Sequence, residues 1–233
     1  MKGDKLKRLL VLVATTGLVY ALVSLPMAVP AAATSGPKLH PSGFGEHSYS
    51  AWKAHEGLPD SRGNDDQALY FQKMTSTATF AAGVAVFEGF EGMSTAAIGP
   101  LGFYYRSDGH CGAGAPRFNL RVENSLGVRQ TFFFGCNSGM VPGGTAVDDQ
   151  GRVWFERTTA GPLPPGTVVS LSIVYDEGNE FPPGYVYLDN IQAGGHVWTS
   201  ASDNGNGQVI MAEPTGNDIV EGFLGESLSV LFP

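Results

Sequence analysis

Between residues 117 and 123 the chain reads R-F-N-L-R-V-E, and apolar Phe118, Leu120 and Val122 alternate with polar Asn119, Arg121 and Glu123. A period of two places one set of side chains on each face of an extended strand. The run T-V-V-S-L-S-I-V-Y at 167–175 behaves alike, with Val169, Leu171, Ile173 and Tyr175 set against Ser170, Ser172 and Val174. Shorter segments rich in aromatic and β-branched residues join them: Q-A-L-Y-F-Q-K, A-T-F-A-A-G-V-A-V-F, L-G-F-Y-Y-R, V-R-Q-T-F-F-F-G, R-V-W-F-E-R, Y-V-Y-L-D-N-I-Q and H-V-W-T. Gly, Pro, Asn, Asp or Ser bounds each of them, as strand punctuation should. About nine strands are predicted. Strands with one apolar face, joined by variable turns, bury that face best in two antiparallel sheets packed against each other. The fold class expected is therefore all-β, an antiparallel β-sandwich, over residues 65–200.

Residues 34–64 lack such alternation and read as an N-terminal arm, in which S-Y-S-A-W-K-A-H-E forms at most one helical turn. From 201 to 233 a polar loop, S-D-N-G-N-G-Q, leads into an apolar tail, I-V-E-G-F-L-G-E-S-L-S-V-L-F-P. No repeat of fixed period is present.

The other end changes the picture more. M-K-G-D-K-L-K-R is followed by an apolar run from Leu9 to Leu25, then Pro26, Pro30 and the small residues Ala31, Ala32 and Ala33. This is the pattern of a secretory signal peptide over residues 1–33, cleaved before Thr34. An uncut anchor is the competing reading, since Leu9 to Val29 approaches the roughly 20 residues that span a bilayer. Removing residues 1–33 from a chain with 14 Lys+Arg and 22 Asp+Glu leaves 10 basic against 21 acidic residues. So acidic a surface repels phosphate backbones, and a nucleic-acid partner is not expected. No second long apolar run predicts a membrane span after cleavage.

Only two cysteines occur, Cys111 and Cys136, and in an exported chain they are expected to pair. Cys111 lies in S-D-G-H-C-G-A-G-A-P, which also invites chemical readings. His110 has no partner at zinc-ligand spacing, the G-A-G-A-P run lacks the Lys and Ser/Thr of a phosphate loop, and a disulfide removes the thiol as nucleophile. The glycines Gly112 and Gly114 then serve the backbone. No G-x-S-x-G occurs. Paired carboxylates do, at Glu88 and Glu91 and at Asp176, Glu177 and Glu180, so a glycosidase working through two acids is an alternative.

The run Y-V-Y-L-D-N-I from Tyr185 to Ile191, preceded by V-S-L-S-I-V-Y-D-E-G, resembles the closing strands of galactose-binding-like jelly rolls, the fold of many bacterial carbohydrate-binding modules. The resemblance covers about residues 63–199 in strand count and order. It implies a jelly roll, an extracellular glycan or cell-surface polymer as partner, and a structural calcium near Asp189 with Asp65 and Asp66. The other reading of Asp189 is a strand-edge carboxylate accepting backbone N–H groups. A sugar platform would use Tyr104 and Arg106 on one strand with Asn119 and Arg121 on the next, and Trp154 and Trp198 are further aromatic candidates. The expectation is thus a secreted, non-catalytic carbohydrate-binding module. A structural or adhesive surface protein and a glycoside-active enzyme are the alternatives.

Overall fold

A computed structural model describes residues 36–60 and 66–204. The expected signal peptide, Asp65 and the apolar tail lie outside the described residues. Two antiparallel sheets make up the fold. The smaller orders β1 (Lys38–Phe44), β4 (Ala82–Glu88), β10 (Thr167–Tyr175), β6 (Arg117–Glu123) and β7 (Arg129–Gly135). The larger orders β2 (Ser48–Lys53), β3 (Ala68–Lys73), β11 (Tyr185–Ala193), β5 (Gly102–Arg106), β9 (Val153–Thr159) and β8 (Met140–Val147), with β12 (His196–Trp198) paired back onto β11.

The alternation read from the sequence decides what lies between the sheets. Leu69, Phe71, Phe103, Val186 and Leu188 of the larger sheet meet Phe87, Phe118, Leu120, Leu171 and Ile173 of the smaller in one buried cluster. Phe103 stacks on Phe118 across the interior at 5.6 Å between centroids, and Trp198 sets its edge to Phe87 at 5.2 Å. In β10 a bulge between Val168 and Ser170 shifts the register. Val168, rather than the expected Val169, is the one that packs inward.

All nine expected segments are strands, and the described residues hold three more, β1, β2 and β8. The N-terminal arm is therefore corrected: it contributes an edge strand to each sheet, and the expected helical turn is β2. Pro41 and Gly43 masked β1, because proline and glycine weaken a strand reading although an edge strand tolerates both. Their placement has a reason. Gly43 pairs with Gly83 of β4, and a Cβ on either would lie 2.6 Å from the Tyr49 backbone. This glycine pair lets β2 cross close over the smaller sheet. There the Ser50 hydroxyl accepts the Ser42 N–H at 3.0 Å and faces the Val84 carbonyl. β8 was hidden likewise by Pro142, Gly143 and Gly144, where its pairing with β9 is bulged.

Candidate functional site

The loop after β5 is an anchorage. Cys111 and Cys136 are bonded with Cα atoms 5.4 Å apart, joining the end of β5 to the end of β7. His110 pairs with the Glu177 carboxylate, whose other oxygen accepts the Gly114 N–H at 3.0 Å. A Cβ on Gly112 would run into that same carboxylate and the His110 ring, so the chain needs glycine there. Arg117 donates to Asp176 Oδ2 at 2.7 Å and to the Gly114 carbonyl at 2.7 Å. The acids that a glycosidase would require are held in similar ways. Glu180 accepts the Thr77 N–H at 2.8 Å, Glu91 accepts the Gly89 N–H at 2.9 Å, and Glu88 lies 3.1 Å from His40 Nε2.

The expected sugar platform does not assemble. Tyr104 and Arg106 are on β5 in the larger sheet, whereas Asn119 and Arg121 are on β6 in the smaller. Two successive strands face away from each other because the chain changes sheet between them. Trp154 and Trp198 are fully buried, which removes both from the surface.

Arg106, only 5% exposed, belongs to an ion network. Its guanidinium donates to Asp108 at 2.7 and 3.0 Å, pairs with Glu56, and lies 3.7 Å over the Tyr187 ring. Arg152 joins Glu56 at 2.5 Å and Asp148 at 2.6 Å, and the indole N–H of Trp154 reaches Asp148 at 3.0 Å. Burial alone would raise the Asp148 carboxyl, but bonds from Trp154 and Arg152 outweigh it and hold the group below its ordinary value. Together with Leu58, which packs on Ala68 and Trp154, the network pins the segment after β2 to the outer face of the larger sheet. Tyr104 sits half-buried beside it.

Asp189 is the buried latch under that segment. Its two oxygens accept the Leu58 and Asn190 N–H groups, each at 2.6 Å. Burial pushes its carboxyl up to about 8, with the nearby Asp60 and Asp66 charges adding to the rise. Asp66 in turn accepts the Asp60 N–H at 3.3 Å through its side chain and the Gly57 N–H at 2.7 Å through its carbonyl. Calcium takes six to eight oxygen ligands. Among the described residues no three His, Cys, Asp or Glu gather to hold a metal. Asp189 thus accepts backbone N–H groups, as its other reading expects, while Asp65 of the expected calcium set lies outside the described residues. A different group carries positive charge into the interior. Lys73, 1% exposed, donates to the carbonyls of Thr77 at 3.0 Å, Thr79 at 2.7 Å and Asp176 at 2.8 Å.

What stays accessible on the larger sheet is a row of tyrosines that the sequence reading passed over. Tyr70 and Gln72 alternate with inward Leu69 and Phe71 on β3, and Tyr185 and Tyr187 alternate with inward Val186 and Leu188 on β11. Tyr70 stands across from Tyr187 and Tyr49 across from Gln72. The rings touch in series: Tyr49 to Tyr70 at 5.8 Å, Tyr70 to Tyr187 at 4.8 Å, Tyr70 to Tyr185 at 5.9 Å. All four are half-buried. Lys53 Nζ lies 5.7 and 5.8 Å from the Tyr49 and Tyr70 centroids, and the Tyr70 hydroxyl donates to Gln72 at 3.0 Å. The alternation L-Y-F-Q and Y-V-Y was visible, but nothing local says that β2, β3 and β11 are neighbours.

No family model, curated protein or solved structure matches the chain.

Proposed function

We propose that the protein is an exported, non-catalytic carbohydrate-binding module of jelly-roll topology that holds glycan on the tyrosine row of its larger sheet. The observation that carries this reading is the contiguity of Tyr49, Tyr70, Tyr185 and Tyr187 on three adjacent strands. A tyrosine offers a sugar an apolar ring for its C–H face and a hydroxyl for its oxygens. Three strands span roughly 10 Å, the scale of a short oligosaccharide. Lys53, Gln72 and the tyrosine hydroxyls supply polar contacts at the same surface.

The strand order supports the jelly roll. β3, β11, β5 and β9 in one sheet and β4, β10, β6 and β7 in the other form the nested pairing of that topology, with β1, β2, β8 and β12 added around it. Export is supported by the disulfide, which persists in oxidising compartments. A non-catalytic role is supported by the structural partners held by Glu88, Glu91, Asp176, Glu177 and Glu180.

The test is retention on insoluble polysaccharides together with an assay for released reducing sugar. Retention without release is expected, and Tyr70→Ala and Tyr187→Ala should each weaken it about tenfold, the effect of removing one aromatic contact. Silence across a broad glycan array would favour the structural or adhesive alternative, and sugar release would restore the enzyme reading.

A further inference from the structure

The outer face of the smaller sheet presents groups that neither the fold nor the tyrosine row uses. Phe118, Leu120 and Val122 of β6 point into the core, so Asn119 and Arg121 face outward. In the antiparallel register Ser172 of β10 and Phe133 of β7 flank Asn119, while Ser170 and Thr131 flank Arg121. Arg117 Nε donates to Asn119 Oδ1 at 3.0 Å, which fixes which way the amide is turned. Its Nδ2 is left without an acceptor, although Asn119 is only 5% exposed. A buried donor with no partner costs about 1–3 kcal/mol, and such groups are rare enough to need a reason.

Arg121 is the second unusual group. The residue is half-buried and its guanidinium makes no ion pair or side-chain hydrogen bond among the described residues, in a chain of formal net charge −8. The neighbouring arginines are paired, Arg117 with Asp176 and Arg129 with Glu123. On the same face Phe133 is 42% exposed, a large apolar ring on a polar surface, with the Arg117 guanidinium 5.6 Å from its centroid.

We propose that this face is a second ligand site, for a saccharide that bears a carboxylate. The planar fork of Arg121 matches a carboxylate through two parallel hydrogen bonds, which a neutral sugar does not offer. Phe133 takes the C–H face of the ring, and the hydroxyls of Ser170, Ser172 and Thr131 complete a donor-rich surround. A phosphate polymer would need a basic stripe, and a single unpaired arginine is not one. The site is independent of the tyrosine row, which lies on the other sheet.

Calorimetric titration of the full-length protein with a panel of oligouronides (galacturonate, glucuronate and mannuronate) and with their methyl esters tests this. At least one oligouronide should bind, its uncharged ester about tenfold more weakly, and added salt should weaken the acid form. Arg121→Gln should lower the affinity about tenfold at unchanged melting temperature, whereas Tyr187→Ala should leave it intact. The proposal is overturned if no oligouronide binds, if ester and acid bind alike, or if Arg121→Gln keeps full affinity. It is overturned too if Tyr187→Ala abolishes binding, because the acid would then sit on the tyrosine row. Loss of neutral-glycan retention in the tyrosine variants, with oligouronide binding unchanged, separates the two sites.

Discussion

Asp189 acts as a latch. Both oxygens accept backbone N–H groups, and burial carries its carboxyl up to about 8. An unfolded aspartate titrates near 3.9. Between those values the folded state binds the extra proton, so stability falls as pH rises, by at most about 1.4 kcal/mol per pH unit. The contribution is complete below about pH 4 and gone once the pH passes the folded value. Thermal melts at pH 5, 6.5 and 8 should decline in that order, and Asp189→Asn should flatten the decline even if it lowers every melting temperature. A slope unchanged in the variant would place the titration elsewhere. The sequence exposed Asp189 as a residue of interest, and it also held the N–H-accepting alternative. The N–H group that shows this role belongs to Leu58, which lies 131 positions away along the chain.

At the scale of elements, the turn from Met74 to Phe80 that links β3 to β4 is tied down by Lys73. Three carbonyls, two in that turn and one at the end of β10, converge on its ammonium. Desolvation lowers the lysine's proton affinity, while Asp176 and Glu180 work to restore it. Lys73→Met keeps the stem but strips the donors, and it should destabilise by about 3 kcal/mol in chemical denaturation while speeding amide exchange between residues 74 and 80. A change below about 0.5 kcal/mol would mean that water replaces the ammonium without loss. Nothing in A-L-Y-F-Q-K foretells this, since a lysine ending a strand is ordinarily solvated. A related limit hid β1 and β8. Edge strands accept the proline and glycine that a local reading takes as breakers, and only pairing to a neighbour reveals them as strands.

For the molecule as a whole, the Cys111–Cys136 bond ties the end of β5 to the end of β7, and β1 and β2 form an edge of the smaller and of the larger sheet. The two cysteines are 25 positions apart, so on the chain-entropy account their bond stabilises the fold by about 3 kcal/mol. Reduction, or a Cys111→Ser/Cys136→Ser double variant, should lower the unfolding free energy by that order. It should also loosen the loop that carries His110, which Glu177 still holds. Intact mass before and after reduction should differ by two hydrogens. The sequence by itself determined nine of the twelve strand-forming segments of the described residues and, in β6 and in β10 past its bulge, which residues point inward, because the two-residue pleat is a property of the backbone alone. It determined the disulfide as well, since two cysteines permit only one pairing. Only the tertiary structure decided which strands are neighbours. It parted Tyr104 from Asn119 by sending β5 and β6 to different sheets, and it gathered four tyrosines from β2, β3 and β11 onto one face. Adjacency in a sheet is set by hydrogen bonds between segments distant in the chain, such as β3 and β11, and no local pattern encodes them.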